Sequence, residues 1–251
     1  MDSDRPQLPW VGGHAIETRG KLETPIPKFL TRKRTLGRMR MDRDGRPFVI
    51  FPLAVAAILG GFGFWLAVIV FGLLAVALGL FFRDPDRTVP VGLDPNAVLS
   101  PADGRVLHAG EPQPSVAPPG NWLQISIFLS PLDVHINRAP IGGKVVAVRY
   151  TPGRFLAAFN DRSAQENERS EIHMESEGQV IVFRQVVGAL ARRVVCRIEP
   201  GMTVARGQRF GIMKFGSRMD VFLPPTATID VKVGDAVRAS ETVIGRLVSL
   251  S

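Results

Sequence analysis

The Gly216-Ser217 bond is where this chain offers most chemistry. It stands in Ile212-Met213-Lys214-Phe215-Gly216-Ser217-Arg218-Met219-Asp220-Val221-Phe222-Leu223-Pro224, between two apolar, strand-like runs. Glycine admits backbone geometries closed to other residues, and the residue after it carries a hydroxyl. A strained turn here brings that oxygen onto the preceding carbonyl carbon, and the chain can then cut itself. Taken alone, a Gly-Ser pair is more often a plain turn, so the reading depends on what else the chain supplies.

Self-cleavage needs a base for the hydroxyl proton and something to hold that base in place. The chain has four histidines. His14 lies in the N-terminal tail, and His108 and His173 stand in strand-like runs, where imidazoles are mostly structural or solvated. His135 lies in Ser130-Pro131-Leu132-Asp133-Val134-His135-Ile136-Asn137-Arg138-Ala139-Pro140, directly after an apolar strand ending at Leu129. There a side chain can project from a scaffold into a cleft.

The elements that must position these residues have an uneven composition. With 251 residues, 45% hydrophobic and 22% charged, the chain can bury one sizeable core. Phe48–Phe82 holds no charged residue, whereas residues 1–47 hold 11 Lys/Arg against 6 Asp/Glu and residues 83–251 hold 20 against 17. The net charge of +8 therefore sits mostly before the apolar stretch. Its basic residues are not interleaved with aromatics as in a nucleic-acid module, and no nucleic-acid partner is expected. They directly precede a membrane-length stretch, so anionic lipid headgroups are the expected partner. A single cysteine, Cys196, excludes an intramolecular disulfide framework and offers no cluster for a metal.

Residues 1–47 read as a basic, flexible tail. Residues 48–82 begin too late and run too long for a cleaved signal peptide, and their 35 residues exceed the roughly 20 that cross a bilayer core. One long tilted helix and two short helices turning near Gly60-Gly61-Phe62-Gly63 both fit. Basic residues on both flanks, with Arg83 and Arg87 after the stretch, favour the hairpin, its two ends on the cytoplasmic side.

Residues 83–251 read as one mainly β domain. Trp122–Leu129, Lys144–Tyr150, Val180–Val187, Arg193–Ile198, Met219–Leu223 and Thr226–Val233 are short apolar runs between turn residues, and Arg154–Arg169 alone suggests a helical turn. Ile198-x-x-Gly201-x-x-Val204-x-x-Gly207-x-x-Phe210 recurs as Val231-x-x-Gly234-x-x-Val237-x-x-Ser240-x-x-Val243, 33 residues on. Two such units pack face to face, since neither can bury its apolar side alone. The pattern resembles the flattened barrel or sandwich of biotinyl and lipoyl domains. Lys214, before the turn between the units, would then be the modified lysine of a membrane-tethered carrier or adaptor. That alternative leaves His135 and the Gly-Ser bond without a role.

Four strings in order resemble the phosphatidylserine decarboxylases, specifically their short, pyruvoyl-dependent bacterial and archaeal type. They are Phe81-Phe82-Arg83-Asp84-Pro85-Asp86-Arg87, Ser100-Pro101-Ala102-Asp103-Gly104-Arg105-Val106, Ser130–Pro140 and Phe215-Gly216-Ser217-Arg218. Asn167-Glu168-Arg169 matches too, with no chemistry assigned. The resemblance implies a proenzyme in which Asp103, His135 and Ser217 cut the chain between Gly216 and Ser217. The products are a β chain, residues 1–216, and an α chain, residues 217–251, that stay associated, and a higher oligomer is compatible. Ser217 becomes a covalent pyruvoyl group, no other cofactor or metal being required. Through a Schiff base on that group phosphatidylserine yields phosphatidylethanolamine and CO2, with His135 as proton donor in a second role. Longer relatives have a second histidine where this chain has Arg138, so the base for self-cleavage is His135, a water or Asp103, and a relative that no longer processes itself stays in view. An anionic headgroup needs cations, and Arg138, Lys214 and Arg218 are the nearest candidates. The expected place is the inner membrane, with the catalytic domain facing the cytoplasm.

Overall fold

Two helices, α1 (Arg46–Gly61) and α2 (Trp65–Phe81), account for nearly all of the uncharged stretch. The structure, a computed structural model, describes residues 40–114, 116–158, 160, 162–189, 193–214 and 217–249. Pro47 sits in the first turn of α1, where a missing N–H costs nothing, and Gly63, at φ 79°, turns the chain into α2. Each helix is about 25 Å long, close to the ~30 Å of a bilayer core. Arg43–Gly61 is long and apolar enough to cross a membrane by length and composition, and α2 is apolar but shorter. Phe51, Leu66, Ile69 and Leu73 are among the large apolar side chains exposed along the pair.

Charge ties the base of this hairpin to the rest of the chain. Strand β1 (Arg40–Met41), before α1, pairs with β2 (Arg83–Asp84), after α2. Arg197 ion-pairs with Asp42 at 2.6 Å and with Asp44. Asp84 takes Arg138 at 2.9 Å and Arg209 at 2.5 Å. Residues 40–47, expected as the end of a flexible tail, are thus built into the folded body, while residues 1–39, including His14, lie outside the described residues. Breaking a buried pair leaves an uncompensated charge. Asp84→Asn is therefore expected to destabilise the protein by about 3 kcal/mol, lowering its Tm by roughly 6–12 °C. An unchanged thermal unfolding curve in detergent would show that the clamp does not hold the hairpin.

Past Asp84 the regular structure is nearly all strand: β3 (Ala97–Leu99), β4 (Gly104–Gly110), β5 (Leu123–Leu129), β6 (Ile136–Arg138), β7 (Gly143–Thr151), β8 (Arg169–Ser176), β9 (Gln179–Val187), β10 (Val194–Cys196), β11 (Thr203–Val204), β12 (Arg209–Met213), β13 (Ser217–Leu223), β14 (Thr228–Ile229), β15 (Ala236–Val237) and β16 (Val243–Arg246), with one helical turn, α3 (Ser163–Glu166), before β8. Thr226–Val233, expected as a strand, holds only the two residues of β14, because the turn from Pro224 to Ala227 takes up its start. The large sheet runs β11-β7-β8-β9-β13-β5-β4-β15, and two small ones run β10-β12-β6 and β14-β16-β3. One core joins all three, with Ile125, Ile127, Phe183 and Val221 from the large sheet against Phe210 and Ile244 from the small ones. The sheets are open rather than closed into the expected flattened barrel, because the short β11 and β15 stand at opposite edges of an eight-strand row.

The repeat governs this layout. β11 and β15 are its equivalent strands, and Gly201 N–H donates to Val145 O as Gly234 N–H donates to Val106 O, both at 2.8 Å and both glycines at φ 92°. The correspondence extends further: Ser100–Val106 matches Ala139–Val145, and the two segments cross, Leu99 N–H donating to Pro140 O at 2.8 Å and Arg138 N–H to Pro101 O at 2.9 Å. Asp103 stands where the other half has Gly142, and His135 where it has Asn96. The candidate site residues fall where the two halves differ.

Candidate active site

Ser217 opens β13, at the centre of the large sheet, just after the chain leaves the small sheet of β12. It pairs with Leu129 on one side and Val187 on the other. Side chains alternate along a strand, which puts Ser217 on the core-facing side with Met219, Val221 and Leu223. It is fully buried, and its Oγ has no hydrogen-bond partner among the described residues. Leaving a buried hydroxyl unpaired costs about 1–3 kcal/mol, so its presence calls for a role other than stability. Gly216 lies outside the described residues.

The loop carrying His135 makes a neighbouring crossing, from β5 to β6. Asp133 N–H donates to Ser130 O at 2.9 Å and its carboxylate accepts from Ser130 N–H at 2.8 Å, closing the turn. Arg83 donates to Leu132 O at 2.6 Å, which binds the loop to the exit of the hairpin. His135 O accepts from Met213 N–H at 3.2 Å, fixing the histidine beside the segment that leads to Ser217. Its ring is fully buried against Phe81, the last residue of α2, with centroids 4.3 Å apart. Nδ1 lies 3.0 Å from Asp133 O. A carbonyl only accepts, so Nδ1 carries the hydrogen and Nε2 keeps the lone pair of the neutral ring.

Burial pushes the His135 pKa down to about 4, so the ring is an unprotonated base at neutral pH. The unfolded chain takes up this proton near pH 6.5 and the folded chain only near pH 4. Between those values the unfolded state binds more protons, so stability falls as pH falls, by about 3 kcal/mol over the whole window. In a Ser217→Ala background, where the chain stays uncut, adding His135→Gln is expected to flatten the decline in Tm between pH 6.5 and 4.5. Parallel curves for the two proteins would show that another group carries the acid sensitivity.

Asp103 Oδ1 accepts from Ala239 N–H at 2.8 Å and its Oδ2 from Arg87 at 2.6 Å. Burial raises its pKa against the pull of Arg87. Arg105 on one flank of β5 and Arg218 on the other both face Phe128, so Asp103 and Ser217 stand on opposite sides of the end of that strand. Arg138 is buried and turned to Asp84, also donating to Pro85 O at 3.0 Å and Gly207 O at 3.3 Å. Arg218 is buried on the side of β13 away from Ser217, its Nε 2.6 Å from Asp220 Oδ1 and its Nη2 bonded to Gln113 and Ser126 at 2.8 and 2.9 Å. Lys214 is half-buried, with Nζ 5.2 Å over the Phe48 ring and no ion pair among the described residues.

By strand register Ser217 and Asp103 flank the end of β5, His135 lies on the loop that follows it against Phe81, and Lys214 leans on Phe48 of the hairpin. The family model for phosphatidylserine decarboxylase matches residues 74–245, from within α2 to the last strand. The chain belongs to the phosphatidylserine decarboxylase family. The phosphatidylserine decarboxylase proenzymes of Desulfotalea psychrophila and Aromatoleum aromaticum are each 42% identical to it over 208 residues, covering 82% of this chain and 96% and 95% of theirs. That of Salinibacter ruber is 45% identical over 168 residues, 66% of this chain and 74% of its own.

Some residues of this decarboxylase-family site escape a reading of the sequence. Gln185 Nε2 donates to Asn137 Oδ1 at 2.8 Å, while Gln185 Oε1 and Asn137 Nδ2 have no partner among the described residues, though both residues are fully buried. Gln185 faces Met219 across the sheet, one step along the same face from Ser217. The available signal was a lone amide inside the apolar run Val180–Val187. Asn167 donates to Leu156 O and Val187 O, both at 2.8 Å, and so holds the end of β9 where it flanks Ser217. This gives the Asn167-Glu168-Arg169 string a structural purpose.

Proposed function

We propose that the chain is a membrane-anchored proenzyme that cuts itself between Gly216 and Ser217 and then decarboxylates phosphatidylserine to phosphatidylethanolamine. The observation that carries this reading is the buried, unpartnered Oγ of Ser217 at the crossing beside His135. In self-cleavage Ser217 Oγ attacks the Gly216 carbonyl carbon and gives an ester, with His135 Nε2 taking the hydroxyl proton. Loss of the Ser217 Cα proton then releases residues 1–216 with a C-terminal carboxylate, and hydrolysis of the new α-chain end liberates ammonia. A pyruvoyl group there would keep Cα, Cβ and the carbonyl of Ser217, with Oγ lost to the new Gly216 carboxylate, the nitrogen lost as ammonia and one oxygen gained from water; it is no larger than serine, so the buried space at the start of β13 fits it. The group supplies a carbonyl that condenses with the substrate amine and accepts the electrons released as CO2 leaves.

The surrounding residues divide the remaining work. Lys214 meets the phosphate, and the unpaired amide of Asn137 offers a donor to the substrate carboxylate. Arg138 and Arg218, held by Asp84 and Asp220, stiffen the two sides of the site. The α chain, residues 217–251, stays because β13 lies between β5 and β9 and is buried along its length. The repeat supports a kinship with biotinyl and lipoyl domains in the core fold. A carrier modified at Lys214 is disfavoured, since a swinging arm needs solvent around its lysine and this one leans on Phe48. The apolar helices and the basic residues on both flanks support an inner-membrane location with the domain on the cytoplasmic side.

The direct test is to supply the purified protein with vesicles of phosphatidylserine and to measure phosphatidylethanolamine and CO2 in equal amounts. Lys214→Ala is expected to raise KM about tenfold with a smaller change in kcat. A cleaved protein that forms neither product would overturn the reading.

A further inference from the structure

α1 and α2 border an open groove of about 340 Å³, lined by Pro47, Phe48, Phe51, Pro52, Leu74 and Leu78. Every one of these side chains is apolar, and the groove ends at Phe48, at the base of the hairpin. From Phe48 a run of aromatic rings reaches the site. Phe48 stacks on Phe82 at 5.2 Å, Phe82 meets Phe81 at 5.0 Å, and Phe81 lies 4.3 Å from the His135 ring. The ammonium of Lys214 is 5.2 Å above Phe48, beside the mouth of the groove. Hydrocarbon surface, a cation and the buried Ser217 and His135 thus follow one another in the order of the parts of a phospholipid: acyl chain, phosphate, headgroup.

We propose that this groove seats an acyl chain of the phospholipid whose headgroup is processed at Ser217 and His135. The proposal rests on the decarboxylase reading for the identity of the headgroup. It makes the hairpin a wall of the binding site as well as a tether. A lipid can then present its headgroup without leaving the bilayer, since its chain stays between helices that are themselves at hydrocarbon depth. The clamp of Asp84 on Arg138 and Arg209, with that of Arg197 on Asp42, sets the groove at a fixed distance from His135.

The test uses the full chain in vesicles containing a phosphatidylserine with a photoreactive diazirine in one acyl chain. Cross-links are expected at Phe51 and Leu74 in excess over Leu66 and Ile69, which are exposed elsewhere on the hairpin. Leu74→Trp fills the groove. It should remove the excess and lower the ratio of kcat/KM for long-chain phosphatidylserine to that for glycerophosphoserine, which has no acyl chain, by about tenfold. Leu66→Trp should change neither. Labels spread evenly around both helices, or a Leu74→Trp protein that loses both substrates in equal proportion, would overturn the groove. A cleaved protein that labels at Phe51 and Leu74 yet decarboxylates neither substrate would support the groove as a lipid seat and overturn the decarboxylase reading instead.

Discussion

Ser217→Ala protein is expected to remain one chain of 27.4 kDa, while the wild type separates on denaturation into residues 1–216 and a short chain that starts at position 217 with a pyruvoyl group and lacks a free amine. The effect should be complete, because no other hydroxyl replaces the one being removed. The substitution is mild for the fold. Ser217 Oγ makes no hydrogen bond among the described residues, so an alanine there costs none of them a partner. Intact-mass measurement of both proteins, with thermal unfolding of the variant, separates the two ways of losing cleavage. An uncut wild type would instead place this chain among relatives that no longer mature. An added mass on Lys214 would revive the carrier.

His135→Gln carries the second large effect. Glutamine retains a donor for Asp133 O but has no titratable nitrogen, so proton transfer is lost while the loop keeps its hydrogen bond. Decarboxylation by whatever material is cleaved should fall by about 10²–10⁴-fold, the usual worth of a positioned acid or base. The extent of cleavage in the same variant identifies the base for Ser217. If cleavage stops, His135 is the base for Ser217; if it continues, Asp103 or a water takes the hydroxyl proton. Full decarboxylase activity in His135→Gln would remove the histidine from the mechanism. The Asp103→Asn variant completes the comparison, because Asp103 is bonded to Arg87 and Ala239 and stands across the end of β5 from Ser217.

Short apolar runs between turn residues were enough to place several of the strands. The runs Trp122–Leu129, Lys144–Tyr150 and Val180–Val187 become β5, β7 and β9 with ends moved by a residue or two. The 33-residue repeat was likewise legible, since each unit needs a glycine or a small polar residue at the same positive-φ turns, Gly201 and Gly234, then Gly207 and Ser240. The match between Ser100–Val106 and Ala139–Val145 was harder to see, because its spacing of 39 residues differs from that of the later units.

Residue type and local order determined, by themselves, an uncharged hairpin-length stretch, a β domain with an internal repeat, and the candidates Ser217 and His135, while Asp103 came from the resemblance of Ser100–Val106 to a family motif. They did so because burial period, turn geometry and nucleophile type are properties of neighbouring residues. What each charge does was decided only by the tertiary structure. Arg138 and Arg218 look like free cations in the chain, yet their partners Asp84, Gln113 and Ser126 arrive from other strands and turns. Asp103 is held by Arg87, and Phe81 reaches His135 only because the hairpin folds back onto the domain. A charge is satisfied by whatever lies within about 4 Å of it in space, and in a sheet whose central strand pairs with segments some ninety and thirty residues earlier in the chain, sequence distance carries no record of that.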